Sequence, residues 1–413
     1  MSKMLLVFFT SLILALSASM ASAAAKTPIR IAFIDPLSGP FAIAGIVPLA
    51  QFKYDAARLN KAGGINGHPI EVVGFDGKAD PQISLVQLQK AIDDGFQFIT
   101  QGRSSAVGGT LLNTINKHNQ RNPDDRVLYF NYASLDPVLT NERCSFWHFR
   151  FFPNTDMVSN TLTDWLAKQK NIHKVFLINQ DYSYGHAFAE GTIKTLQKKR
   201  PDIEIVGNVF HPLAKVKDFS PYVTQIKASG ADAVVTANYG SDIILLIKAV
   251  ASYGLNIPIL TNSGSETGTI TAIGDKGINN VYLVAPFNGD YNAPGMAERE
   301  QEMYKETGYD YHAPFITNVL EMLKVAAEKA DSIDPTKVAF ALEGLHYDSP
   351  FGEMIMRAED HQLLAPTFIS VLKDHMKPGA EGTDLNYHAL DKVDAEATAM
   401  PTTCHMKRPA KQS

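Results

Sequence analysis

The sequence predicts an α/β protein built as two doubly wound parallel-sheet lobes. Three observations carry this. Short apolar, β-branched runs recur along the chain and alternate with helix-length amphipathic stretches. Most of these runs are apolar at successive positions, as strands buried on both faces are. They also fall into two series, interrupted near "CSFWHFRFFPNTD" at 144–156.

The first series comprises "IRIAFID" (29–35), "IEVVGFD" (70–76), "FQFIT" (96–100) and "RVLYFN" (126–131). The second comprises "KVFLINQ" (174–180), "IEIVGNVF" (203–210), "ADAVVTAN" (231–238), "IPILTN" (257–262) and "NVYLVA" (280–285). Helices are predicted over 48–61, 81–94, 106–119, 156–170, 185–199, 218–229, 241–253 and 317–330. In the first of these, Val47, Ala50, Tyr54 and Ala57 share a face. The glycines of "RLNKAGGINGHPIEVVGFDGKADP" follow a helix and precede a strand, the reverse of the order in a dinucleotide-binding loop. Gly63 or Gly64 is therefore read as the left-handed helix cap, and Asn66-Gly67 as a turn. From Gly379 onward the chain is polar without clear periodicity and is expected to be an extended tail, 379–413.

The N-terminus differs from the rest. "MSK", the apolar "MLLVFFTSLILAL" and the small-residue "SASMASA" follow the order of a secretory signal peptide. Cleavage is expected after Ala23, where Ala21-Ser22-Ala23 fits the small-x-small rule, with Ala24 or Ala25 as alternatives, and the apolar run is too short to be a membrane-spanning anchor. No cysteine lies near the cut to carry a lipid. Loss of Lys3 takes the formal charge from −5 to −6, which disfavours nucleic acid as a partner. The two cysteines, Cys144 and Cys404, are too few for a metal cluster. They either pair in an oxidising compartment or remain two buried thiols. The chain has no G-x-x-x-x-G-K-[ST], G-x-S-x-G, H-E-x-x-H or C-x-x-C motif. An enzyme is not expected, nor a cofactor or metal, and His361 in "EDHQ" and Asp181 are read as structural.

"FIDPLSGPFAIAG" followed by "AGGINGHPIEVVGFDGKADP" resembles the opening of periplasmic solute-binding proteins of ABC transporters, in the leucine/isoleucine/valine-binding family. The resemblance continues in collinear order through "QDYSYGHAFAEG", "KDFSPYVTQIKASGADAVV" and "SPFGEMIMRAEDHQ", covering most of residues 29–375. It implies a type I periplasmic binding fold, with two lobes joined by a hinge of about three strands and a ligand in the cleft between them. Mapped onto this chain, lobe 1 would be 27–149 and 288–350, and lobe 2 would be 150–287 and 351–378. It also implies hinge closure on a small ligand, delivery to a membrane permease, a periplasmic location and a monomer.

The family's ligands usually carry a carboxylate, whose burial requires donors. By position, Ser105 or Ser104 and the Ala133–Ser134 loop inherit that role, and Ser104 and Ser105 also suit helix capping. Arg103 is either a bidentate partner or a solvated surface arginine. Tyr182, Tyr184 and Tyr239 are the expected aromatic cover, with core packing as the alternative. Two departures stand out. Leu135 replaces a threonine, and Asn262 or Ser263 falls where aliphatic amino acid binders carry an ammonium-neutralising glutamate, with Glu266 close by. With Phe41, Tyr132 and Phe287 expected near the cleft, these departures favour an aromatic or other apolar carboxylate over a leucine-like ligand. A bond between Cys144 and Cys404 would pin the tail near the hinge. A ligand-sensing receptor subunit, or amide or urea binding on the same fold, is the alternative function.

Overall fold

The structure, a computed structural model, describes residues 26–290, 295–310 and 314–410. The signal peptide expected over 1–23 lies outside the described residues. In chain order the elements begin β1 (Ile29–Asp35), α1 (Ala42–Lys61), β2 (Ile70–Asp76), α2 (Pro81–Asp93), β3 (Phe98–Gln101), α3 (Ser105–Arg121), β4 (Leu128–Asn131) and β5 (His148–Arg150). These strands form a parallel sheet in the order β2-β1-β3-β4-β5. The chain continues through α4 (Thr155–Lys168), β6 (Lys174–Gln180), α5 (Ser183–Lys199), β7 (Glu204–His211), α6 (Ser220–Ser229), β8 (Ala233–Thr236), α7 (Ser241–Ser252), β9 (Ile259–Thr261), α8 (Thr269–Ile273) and β10 (Val281–Ala285). Then come α9 (Met296–Thr307), α10 (Pro314–Ala330), α11 (Pro335–Leu342), β11 (His346–Ser349), β12 (Gly352–Met356), β13 (Leu363–Leu364), β14 (Thr367–Lys373) and β15 (Asn386–Val393). The second sheet runs β15-β14-β10-β9-β8-β6-β7, parallel except that β14 runs antiparallel to both its neighbours, β10 and β15. A small antiparallel sheet, β11-β12-β13, completes the fold.

The helix starts follow from side chains that satisfy orphan N–H groups. Asp80 accepts from Gln82 and Ile83 ahead of Pro81, Asn154 accepts from Met157, and Asp334 accepts from Thr336 and Lys337 ahead of Pro335. Helix α1 starts at Ala42, one and a half turns before the expected Pro48, which sits inside it. Gly45 explains how this early segment fits, because a Cβ there would lie 2.0 Å from the Pro36 carbonyl oxygen. After α1, Gly63 and Gly64 both have positive φ, and the Gly64 N–H reaches Leu59 O at 2.9 Å. A Cβ on Gly64 would meet His68 O at 2.2 Å, so these glycines serve the turn and no phosphate.

Two expectations change. Residues 379–393 are not extended tail. After a short helical turn at Ala380–Gly382, residues Asn386–Val393 form the edge strand β15 of the second sheet, where Tyr387 is buried, and Leu385 packs on the same core. Alternation there is weak because an edge strand buries few of its side chains, and the β14–β15 register shifts at Ile369/Ser370. The boundary expected at 350/351 also moves. Met354, Met356 and Leu363 pack into the core of the first sheet beside Phe149 and Leu342, so the chain leaves that side only after Ala365.

The terminal segment returns from β15 to the first sheet. Met400 O accepts from Arg357 Nη1 at 2.7 Å, Thr403 N donates to Asn141 Oδ1 at 3.2 Å, and Cys404 is bonded to Cys144, 260 residues away. Closing so long a loop removes conformational freedom from the unfolded chain. Cys144→Ser is expected to lower the unfolding free energy by about 2–4 kcal/mol in non-reducing urea titrations. Unchanged stability, or two alkylatable thiols in the native protein, would contradict the linkage.

Candidate functional site

The carboxyl ends of the two sheets face each other across a cleft whose free volume is about 70 Å³. In the first sheet the strand order reverses direction between β1 and β3, the position where open α/β sheets leave a crevice. The loop after β3 brings Arg103, Ser104 and Ser105 to this crevice, and the loop after β4 brings Ala133, Ser134 and Leu135. The opposite wall comes from the second sheet: Tyr182 and Tyr184 after β6, Tyr239 after β8, and Asn262 and Glu266 after β9.

One buried carboxylate organises the first wall. Asp35, at the end of β1, accepts from Gly102 N at 2.9 Å, Arg103 N at 3.1 Å, Gln101 Nε2 at 3.2 Å and the Tyr132 hydroxyl at 2.7 Å. Burial pushes its pKa up to about 6, against the pull of the Tyr132 hydroxyl, Arg103 and the two N–H groups. The loop so held leads into α3. Ser104 caps that helix by accepting from Val107 N at 3.4 Å, and Ser105 Oγ accepts from Asp136 N at 3.3 Å. The remaining first-turn N–H groups and the positive end of the 17-residue helix thus border the cleft.

Arg103 is not a solvated surface arginine. It is half-buried, its Cζ lies 5.5 Å from the Tyr132 ring centre, and its Nε is buried without a hydrogen-bond partner. Burial works against its charge, yet the Tyr132 oxygen, Glu266 and Asp35 more than offset this and raise its pKa. Ser134 lines the cleft, but its hydroxyl is engaged with Gln101 Oε1 at 3.1 Å, so the loop offers backbone groups.

On the tyrosine wall, Tyr184 donates to Asn262 Oδ1 at 2.6 Å, and Tyr182 and Tyr184 lie 5.7 Å apart between ring centres. Burial raises all three tyrosine pKa values, so their hydroxyls are neutral. The Tyr239 carbonyl is held by Gln180 Nε2 at 3.2 Å. Glu266 Oε2 accepts from Gly264 N at 2.8 Å, so an acidic group borders the cleft a few residues beyond the family position.

Phe41 does not line the cleft. It stands at the rim, 5.6 Å from the Tyr239 ring. Phe287 is in the lining, but Tyr132 is not. Stacking on Phe33 and the hydrogen bond to Asp35 turn Tyr132 into the core. Phe152 and Phe315, which complete the apolar floor, were not singled out from the sequence. The available signal for Phe152 was the aromatic run before Pro153, where the chain passes from one sheet toward the other. His361 stacks on Phe149 at 3.9 Å and bonds Glu343 at 3.0 Å, both outside the cleft lining. No group of His, Cys, Asp and Glu suited to a metal occurs among the described residues.

The sequence pattern of the family described as periplasmic binding protein matches residues 28–377. The chain is 32% identical to the Leu/Ile/Val-binding protein homolog 4 of Brucella melitensis, over 96% of each chain. It is 26% identical to the leucine-, isoleucine-, valine-, threonine- and alanine-binding protein of Pseudomonas aeruginosa, over 81% of this chain and 86% of that one. A crystal structure of the like-named protein from Brucella ovis, in a closed conformation, superposes with a TM-score of 0.83 at 30% identity, covering 93% of this chain and 100% of that one.

The raised pKa of Asp35 fixes the sign of a pH effect. The folded protein holds this proton more tightly than the unfolded chain, so the contribution of Asp35 to stability is present at low pH and is lost as pH rises from 3.8 through about 6. Relative to wild type, Asp35→Asn is therefore expected to gain up to about 3 kcal/mol between pH 4 and 6.5 in urea titrations. A constant difference across that window would contradict the buried, proton-retaining carboxyl.

Proposed function

This chain belongs to the periplasmic binding protein family, in its leucine/isoleucine/valine-binding branch, and from that premise we propose that it captures an amino acid in the cleft and delivers it to the permease of an ABC importer. The carrying observation is the pairing of opposite electrostatic ends within one aromatic cleft. The α3 N-terminus and Ser105 stand on one wall, and Glu266 stands on the other. The carboxylate is received by the first-turn N–H groups of α3 and the Ser105 hydroxyl, with Ala133 and Ser134 contributing backbone groups. The ammonium is received by Glu266. Tyr182, Tyr184 and Tyr239 cover the side chain, and Asn262 is oriented by Tyr184.

The absence of a glutamate at Asn262–Ser263 disfavours a leucine-like ligand. Glu266 in the cleft lining supports an amino acid nonetheless, because it offers the charge that a buried ammonium needs. The names of the Brucella and Pseudomonas relatives support the same reading. An aromatic monoacid is the second reading, favoured by the number of rings and by Arg103.

Capture proceeds by hinge closure, in which contacts to both walls favour the closed state. Micromolar affinity needs about 8 kcal/mol, within reach of one buried apolar side chain and several charge-assisted hydrogen bonds. The working form is a periplasmic monomer. A sensing role is separated from transport by growth on the solute as sole nitrogen source, which requires the protein only if it serves uptake.

The ligand is found by calorimetry with leucine, phenylalanine and benzoate. Glu266→Gln is expected to weaken the amino acids at least about tenfold and to leave benzoate within about twofold. Benzoate binding tighter than both amino acids, with no amino acid penalty from the variant, would favour the aromatic-acid reading. Ser105→Ala is expected to weaken any carboxylate ligand by about 1.5–3 kcal/mol.

A further inference from the structure

The cleft does not end at Tyr239. A second cavity of about 340 Å³ opens between the first turns of α1 and the start of α7, and it shares Arg103, Tyr239 and Glu266 with the cleft. Its other walls are largely apolar, with Phe41, Ile43 and Val47 on the α1 side and Ile244 on the α7 side. Ile43 is 48% exposed at the rim.

Two buried polar atoms without a hydrogen-bond partner belong to the lining of the second cavity: Arg103 Nε, where it joins the cleft, and Thr267 Oγ1, next along the chain from the shared Glu266. Both can donate, and among the described residues no carboxylate lies within ion-pair distance of Arg103. Leaving such donors buried and unmet is costly, by about 1–3 kcal/mol each. With the α-carboxylate at α3 and the ammonium at Glu266, neither donor is used by the backbone part of an amino acid. A leucine side chain has no acceptor to offer them.

We propose that the second cavity is a distal subsite for the solute's side chain. The solute is then an amino acid longer than leucine. Its side chain carries a hydrogen-bond acceptor, a carbonyl or carboxylate, level with Arg103 and Thr267, and ends in an apolar group between Phe41, Ile43 and Ile244. This rests on the reading of the cleft as an amino acid site. Continuity favours the occupant, because the groove and the cleft share three lining residues, one of them Arg103 with its unmet donor, and Thr267 follows the shared Glu266 directly.

The test is calorimetry on the full mature protein with leucine, glutamate and glutamate γ-benzyl ester, the last supplying a carbonyl and an apolar end at the required reach. The ester is expected to bind at least about tenfold tighter than leucine or glutamate. Ile43→Trp, at an exposed position where folding is not at risk, is expected to weaken the ester about tenfold and leave leucine within about twofold. Thr267→Val should also weaken the ester selectively. Equal or weaker binding of the ester, or equal losses for ester and leucine, overturns the distal subsite. So does an Ile43→Trp protein with unchanged affinities that fails only in delivery to the permease, since the groove would then be a docking surface. Failure of all three solutes to bind overturns the amino acid reading itself, and the subsite with it.

Discussion

The first wall of the cleft depends on a carboxylate that does not itself line the cleft. Asp35 is fully enclosed, and four donors from the loop after β3, from Gln101 and from Tyr132 converge on it. Taking a carboxylate out of water is strongly unfavourable, and these donors replace its lost hydration. In doing so they fix the ends of β3 and β4 against β1. The direction of α3, and the position of Ser105 and Arg103, follow from that fixed loop. A wall of first-turn N–H groups would recognise poorly if it could swing.

The tyrosine wall repeats this arrangement with different residues. Asp242, fully buried at the start of α7, accepts from Gln180 Nε2 at 2.8 Å and from Ala214 N at 2.9 Å. Gln180 in turn holds the Tyr239 carbonyl. Between the halves, Arg150 at the end of β5 donates to Ser134 O at 3.1 Å, to Asp136 O at 2.7 Å and to Gln362 Oε1 at 2.8 Å. It thereby links the cleft-lining loop after β4 to the segment around Gln362, near the passage between the sheets. Burial lowers its pKa to about 10, so it stays charged at neutral pH. The terminal segment, bonded at Cys144, lies over the same region.

Much of this could be read from the sequence where burial imposes a clear pattern. Strands enclosed on both faces leave near-continuous apolar runs, and all nine such runs contain strands at closely similar positions. The loops after those strands were then the places to look, and most of the candidate residues border one cleft. The misses have physical causes. Strand β5 is three residues long and β13 is two, too short to show a period. Strand β15 is an edge strand, half exposed. Tyr132, expected near the cleft, is absent from its lining because the buried Asp35 draws its hydroxyl inward. Phe315 opens a helix far along the chain and reaches the cleft only through tertiary packing.

The central claim is that two walls of opposite electrostatic character hold one zwitterion. A crystal structure of the protein with its captured amino acid tests this most directly. The account predicts the solute carboxylate within hydrogen-bond distance of the first turn of α3 and the Ser105 hydroxyl, and its ammonium facing Glu266. A solute bound in the reverse orientation, or one that leaves Ser105 and Glu266 without contact, would contradict it.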